Sequence, residues 1–315
     1  MLLRLLKNVP SMFLSSRRLA GRGWLYELIV RSTRSMFEDS LERDIHWLRK
    51  QVDNTPYHPA NSKVSANYRT LAGVNCLLLS PKAGATSEHV IVYFHGGGYT
   101  VGSTSGYKSI LAQLALDTNG LVIAPDYRLA PEHPFPAPQD DCLTVVRLVL
   151  KTYHDKKITL IGDSAGGTLA IAAARALAGD QGLAATVDKL VLLSPWVDPT
   201  AVDGSLKNNA KHDYLISSFL ASSFAALVSE ADCYNERVNL ANADLSNLPQ
   251  TLVHVGGNEM FVDQITDFCE RAKQAGTNLE LKEYAGHCHV FHLFSAISKD
   301  AKNAMADIAD FIQAS

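Results

Sequence analysis

Apolar and polar positions along the chain fall into two alternating rhythms. Short apolar runs at residues 90–94, 121–124, 158–161, 189–193, 251–255 and 279–284 read as strands. Between them lie stretches with helical periodicity, near 108–118, 139–153, 165–178 and 263–275. Strand and helix taking turns in this way predict a mainly parallel central sheet with helices on both faces, an α/β architecture. Ahead of it, 64–70 and 75–79 read as a hairpin around Gly73, and 41–51 as a charged amphipathic helix ending in a 54–59 turn. A last helix is predicted over roughly 290–312.

Two segments break the rhythm. Residues 199–248 have no strand pattern, many polar positions and helical periodicity only around 215–228. An insertion at the end of a strand, on the side where ligands bind in open α/β sheets, reads as part of a lid. Residues 1–26 carry Arg4, Lys7, Arg17, Arg18 and Arg22 and no acid, with Leu2, Leu3, Leu5, Leu6, Val9, Met12 and Phe13 along one helical face. Arg4 and Lys7 interrupt the apolar run, which argues against a secretory signal, and no stretch has the length of a membrane span. The segment can be a cap helix over the site, an amphipathic helix on anionic lipid, or a transit peptide. The cap is preferred, because such a face also packs well against protein. The expected organisation is N-terminal cap helices over 1–55 and a main domain over 56–315, interrupted by the 199–248 lid.

Composition narrows the class. The chain has 315 residues, 47% hydrophobic and 19% charged, enough for a large buried core. A net charge of −3 offers no basic surface for nucleic acid. The five cysteines, Cys76, Cys142, Cys233, Cys269 and Cys288, are scattered and show no metal-ligand spacing. They suit buried thiols in a reducing, cytoplasmic setting, membrane-associated if residues 1–26 rest on lipid.

Chemistry concentrates in two glycine-rich turns. Gly162-Asp163-Ser164-Ala165-Gly166-Gly167 follows an apolar run and opens an alanine-rich helix. A Gly-x-Ser-x-Gly turn between strand and helix is a nucleophile elbow, which projects the serine hydroxyl from strained backbone. Its glycines answer a bend too tight for a Cβ, and the helix N-terminus behind it favours negative charge. His95-Gly96-Gly97-Gly98-Tyr99 follows another strand and leaves its amides bare, as donors to an oxyanion must be. No Gly-x-Gly-x-x-Gly dinucleotide signature accompanies it. A serine nucleophile needs a base and an orienting carboxylate, in chain order serine, acid, histidine for this kind of elbow. Past the strand at 251–255 stand Glu259 and Asp263. Past the strand at 279–284 stand His287, His289 and His292.

With these motifs in hand, the chain resembles the hormone-sensitive-lipase-like branch of the α/β-hydrolases. The resemblance rests on His-Gly-Gly-Gly at 95–98, Gly-Asp-Ser-Ala-Gly-Gly at 162–167 and Asp126-Tyr127-Arg128-Leu129-Ala130-Pro131-Glu132, and spans about residues 60–300. It implies Ser164 as nucleophile. The family's Asp-Pro-Leu-x-Asp stretch matches Glu259-Met260-Phe261-Val262-Asp263, which implies Glu259 as the acid, one methylene longer than the commoner Asp; Asp263 falls to a helix-start role. The histidine before a small residue and Phe is His289, with His287 a neighbour and His292 at a helix start. The implied oxyanion donors are the amides of Gly97, Gly98 and Ala165.

The resemblance further implies that His95 braces its loop, that Asp163 is a turn or cap carboxylate, and that Asp126, Arg128 and Glu132 form an ion-pair network. Val238-Asn239 replace the family's usual Ser-Pro, a departure on the lid path. The expected activity is serine-dependent hydrolysis of small to medium-chain carboxylic esters through an acyl-enzyme, with no metal or cofactor. Tyr99, Trp24, Phe37, Tyr214 and Phe219 are candidate walls of the cleft. The partner is a small-molecule ester, with peripheral membrane contact open to residues 1–26 and an oligomer compatible with the sequence. An amidase or formamidase with the same residues, and a receptor-like binding module, are the competing functions.

Overall fold

The computed structural model describes residues 23–55, 62–178, 180 and 186–314. Eight strands form one sheet: β1 (Val64–Leu71), β2 (Val74–Pro81), β3 (His89–Phe94), β4 (Leu121–Pro125), β5 (Lys157–Asp163), β6 (Val187–Leu193), β7 (Gln250–Gly256) and β8 (Leu279–Tyr284). Their spatial order is β1-β2-β4-β3-β5-β6-β7-β8. The β1–β2 hairpin and the β2–β4 pair are antiparallel, and every later pair is parallel. All strands expected from the apolar runs are present, most extended by one or two residues.

Successive residues of a strand face opposite sides of the sheet, and here each side has its own core. On β3, Val90, Val92 and Phe94 join a cluster with Val145, Leu169 and Phe268. Ile91 and Tyr93 join another with Ile110, Leu114 and Ile308. Helices α3 (Thr104–Asp117), α4 (Ala137–Thr152), α5 (Ala165–Ala178) and α8 (Val262–Gln274) therefore divide between the faces, as the alternation predicts. Burial on both sides also explains why the inner strands are near-continuous apolar runs. The crossover between β3 and β4 places β5 centrally, so the turn after Asp163 opens between the ends of β3 and β6.

Three elements differ from, or add to, what the periodicity located. The first lies in the N-terminal region, where cap helices are expected without bounds. A helix α1 (Trp24–Asp39) was hidden by its polar run Arg31-Ser32-Thr33-Arg34-Ser35. Buried Ser32 satisfies its hydroxyl inside the helix by donating to the Leu28 carbonyl at 2.8 Å. The second is the expected 41–51 helix, which begins later, as α2 (Ile45–Asp53). Asp44 accepts from the Trp47 amide at 2.8 Å and caps it, with Arg43 still extended. The third is the final helix, which splits. Val290 is left-handed at φ 43°, a short 3₁₀ turn covers Phe291–Phe294, and α9 (Lys299–Gln313) restarts behind the Ser298 cap.

The 199–248 insertion holds α6 (Ser205–Asn208), α7 (Ser217–Leu227) and a 3₁₀ turn, with no strand. Arg34 of α1 donates to the carbonyls of Asp213 and Leu215 at 3.0 and 3.3 Å, tying the N-terminal helices to this insertion. No disulfide joins the five cysteines; Cys233 is half-buried and the others are buried, with Cys288 Sγ 3.2 Å from Tyr26 Oη. Among the described residues, no helix is long and apolar enough to cross a membrane.

Candidate active site

Ser164 sits between β5 and α5 with φ 52°, a left-handed conformation that a serine adopts only when its surroundings force it. The forcing is steric. A Cβ on Gly162 would lie 2.1 Å from the Gly166 carbonyl oxygen, and one on Gly166 would lie 2.0 Å from that of Phe94. Both glycines are present because backbone passes against backbone, so the elbow reading of this motif holds at the level of atoms.

The second glycine loop packs against the first. Gly97 and Gly98 are left-handed, at φ 117° and 59°. Among the described residues, no turn or loop carbonyl accepts from the amides of Gly97, Gly98 or Ala165. Asp163 is neither a turn nor a cap carboxylate: it bridges the two loops. Its Oδ1 accepts from the Gly96 amide at 3.0 Å and from Tyr93 Oη at 2.9 Å, and its Oδ2 from Tyr107 Oη at 2.8 Å. Burial pushes this carboxyl up to about 6, against the pull of the two tyrosine hydrogen bonds and the charge of His289. His95 braces its loop as expected, with Nδ1 donating to the Gly96 carbonyl at 2.7 Å while Tyr127 Oη donates to its own carbonyl at 2.7 Å.

On the far side of the cavity the histidine and the acid meet. His289 Nδ1 lies 3.4 Å from Glu259 Oε1, and both residues are buried. The other carboxylate oxygen accepts from Ser194 Oγ at 2.6 Å and from the Gly256 amide at 2.8 Å. Burial raises the Glu259 carboxyl above its ordinary value, while the hydrogen bond and charge of His289 act in the opposite direction. Asp263 is occupied elsewhere, accepting from the Ser205 amide at 2.7 Å in the first turn of α8. His287 bonds Tyr26 Oη and Asp300, each at 3.1 Å, instead of lining the cavity. His292 does not start a helix: it lies in the 3₁₀ turn, 3.1 Å from His254 Nδ1.

Two residues that sequence reasoning missed hold this half together. Ser194 is left-handed at φ 50°, and its hydroxyl both donates to Glu259 and accepts from the Val290 amide at 3.1 Å. Asp213, in the insertion, accepts from the Met260 amide at 2.9 Å and the His289 amide at 3.3 Å. One carboxylate thus spans the acid loop and the histidine loop. Ser194 had a faint signal as a polar residue closing an apolar strand; Asp213 had none.

Ser164, His289, Gly97 and Gly98 line one cavity of about 50 Å³, room for a few water molecules. Among the described residues, His289 Nε2 has no hydrogen-bond partner. Of the expected walls, Phe37, Tyr214 and Phe219 line this cavity. Trp24 is instead 59% exposed, and Tyr99 is buried beside Trp196 with ring centroids 6.2 Å apart. The expected Asp126–Arg128–Glu132 network is also three separate anchors. Arg128 pairs with Asp141 at 2.7 Å, and Glu132 pairs with Arg49 of α2 at 2.7 Å, which pulls its carboxyl down to about 2. Asp126 accepts from the Thr104 amide at 2.8 Å.

A mostly parallel sheet covered on both faces, with a serine on the sharp turn after its central strand, defines an α/β-hydrolase. The family model described as the alpha/beta hydrolase fold matches residues 91–293, and the chain belongs to that family. An esterase of Acinetobacter venetianus is 36% identical over 80% of this chain and 83% of its own length. An acetyl-hydrolase of Streptomyces hygroscopicus is 30% identical over 71% of this chain and 75% of its own. The crystal structure of EstE7, a hormone-sensitive-lipase homologue from a metagenome library, superposes with a TM-score of 0.80 at 35% identity, covering 90% of this chain and 97% of that one. By family and relatives the chain is a carboxylic ester hydrolase.

Proposed function

We propose that the chain is a serine esterase for small to medium-chain carboxylic esters, with Ser164 as nucleophile, His289 as general base and Glu259 as its orienting acid. The observation that carries this reading is the shared cavity. Ser164 and an unpartnered His289 Nε2 line it together, and Glu259 holds the opposite edge of the imidazole. Nε2 takes the hydroxyl proton as Ser164 Oγ attacks the ester carbonyl, and Glu259 stabilises the imidazolium that results. The amides of Gly97, Gly98 and Ala165 receive the oxyanion. His289 then returns the proton to the departing alcohol, and water, activated by the same histidine, hydrolyses the acyl-enzyme.

The narrow, largely apolar cavity favours short acyl groups, in keeping with the acetyl-hydrolase among the relatives. Residues 23–55 and the 199–248 insertion act together as its cap. Met36 and Phe37 of α1, Val52 of α2, and Tyr214 and Leu220 of the insertion all face the cavity. Membrane contact through residues 1–26 rests on their sequence pattern, and residues 1–22 lie outside the described residues.

The test is hydrolysis of p-nitrophenyl esters of increasing acyl length by the wild type and Ser164→Ala. The substitution is expected to lower kcat by on the order of 10⁶. A loss of less than tenfold removes Ser164 from the mechanism.

A further inference from the structure

Beside the catalytic cavity lies a larger one of about 320 Å³, and the two share a single lining residue, Phe219 of α7. They run end to end along the same walls. On α2, Val52 faces the inner cavity, and Leu48, one turn away, faces the outer. On the glycine loop the corresponding neighbours are Val101 and Thr100, and on α7 they are Leu220 and Ser223. Phe219 is buried at the junction, its ring tilted against that of Phe37 with centroids 4.7 Å apart. It also stands beside the expected oxyanion loop: a Cβ on Gly98 would lie 3.4 Å from Phe219 Cε1.

We propose that Phe219 is the partition that sets the substrate length of this enzyme, and that the outer cavity is a subsite for the distal alkyl part of a longer ester. The inference rests on the serine esterase reading above and assigns its specificity. An inner space of about 50 Å³ is too small for a medium-length chain, whereas the outer one has apolar walls in Ile45, Leu48, Pro131 and Ala226. Its rim carries Ser40, Arg43 and Asp44, so an alkyl chain would end near polar groups. Among the described residues Phe219 alone borders both spaces, next to a Thr100–Ser223 hydroxyl contact of 3.1 Å, so rotation or truncation of its ring is the change that would join them. Each further methylene buried in the outer cavity adds roughly 0.8 kcal/mol of apolar transfer, so two give about tenfold in kcat/KM.

The experiment compares acetate, butyrate, hexanoate and octanoate p-nitrophenyl esters across the wild type, Phe219→Ala and Phe219→Leu. The expected result is a shift of the optimum toward longer chains by two or more carbons. The octanoate-to-acetate ratio of kcat/KM should rise at least tenfold in Phe219→Ala and less in Phe219→Leu. Ala226→Phe, which fills the outer cavity alone, should cancel the gain in the Phe219→Ala background. An unchanged length profile in both Phe219 variants, or a gain that survives Ala226→Phe, overturns the proposal. Should Phe219→Ala fail to fold, Phe219→Leu decides, and its profile must still lengthen. Loss of the serine esterase reading has a different signature: Ser164→Ala would then retain turnover on acetate, whatever the length profile.

Discussion

Around Ser164 the backbone is placed by main-chain atoms pressing on main-chain atoms, whereas around Glu259 and His289 one such contact, a Cβ on Gly256 that would lie 2.6 Å from the carbonyl oxygens of His287 and Cys288, is supplemented by side-chain hydrogen bonds from distant residues. At the elbow, Gly162 and Gly166 leave no space for a Cβ against the carbonyls of Gly166 and Phe94. In the opposite half, Ser194 and Asp213 reach across from a strand end and from the insertion to fix the acid and histidine loops. The first arrangement dictates residue types at fixed spacing. The second fixes Gly256 in the same way and beyond that asks that some hydroxyl and some carboxylate arrive from elsewhere in the chain. The first half is therefore fixed by exclusion at more positions than the second, which leaves more room for substitution around Glu259 and His289.

The sharpest break in that contrast is Gly166→Ala. A methyl group 2.0 Å from a carbonyl oxygen cannot be absorbed without moving β3 or α5. A loss of more than about 3 kcal/mol of stability is expected in urea unfolding. A variant of wild-type stability would mean that the elbow is held by something other than backbone contact.

Asp163 gives the next largest effect, because its buried carboxylate is the side chain that ties one glycine loop to the other. Its folded value of about 6 lies above the ordinary 3.8, so the folded state binds the extra proton between those values. The group's contribution to stability is then full below pH 3.8 and is lost as pH rises through 6. The loss amounts to about 3 kcal/mol at 1.36 kcal/mol per unit. Asp163→Asn cannot titrate. Its stability relative to the wild type should climb by up to that amount between pH 4 and pH 7; a constant difference across that range would show that Asp163 stays ionised throughout.

The smallest expected effect belongs to the half around Glu259 and His289. Ser194→Ala removes a hydrogen bond to a carboxylate, worth roughly 1.5–3 kcal/mol, so kcat should fall about ten- to a hundredfold with KM little changed. Ser194→Gly relaxes the left-handed backbone while still lacking the hydroxyl. Equal losses in both variants point to the hydroxyl, and recovery in the glycine variant would point to backbone strain instead.

Legibility in the sequence follows the same division. The sheet could be read because its inner strands are buried on both faces and so appear as apolar runs. Ser164 and the two glycine loops could be read because sterics constrain each position. Glu259 and His289 needed the family resemblance to separate them from Asp263, His287 and His292, since chain order alone left several of each. The roles of Ser194, faintly marked as a polar strand end, and of Asp213, not marked at all, could not be read, because their partners lie 65 and 76 residues away in the chain. The N-terminal helices were blurred for a related reason. Arg34 looks like a solvent-exposed charge on α1, and its Nε does pair with Glu38 on the same helix, yet its Nη1 donates to carbonyls of the insertion.

The most direct measurement is to trap the acyl-enzyme by rapid acid quench during turnover of p-nitrophenyl acetate and to locate the acyl group by peptide mass spectrometry. One acetyl group per chain on the peptide containing Ser164, absent from Ser164→Ala, is the predicted result. Acetylation at another residue, or continued turnover by Ser164→Ala, would contradict the site built from Ser164, His289 and Glu259.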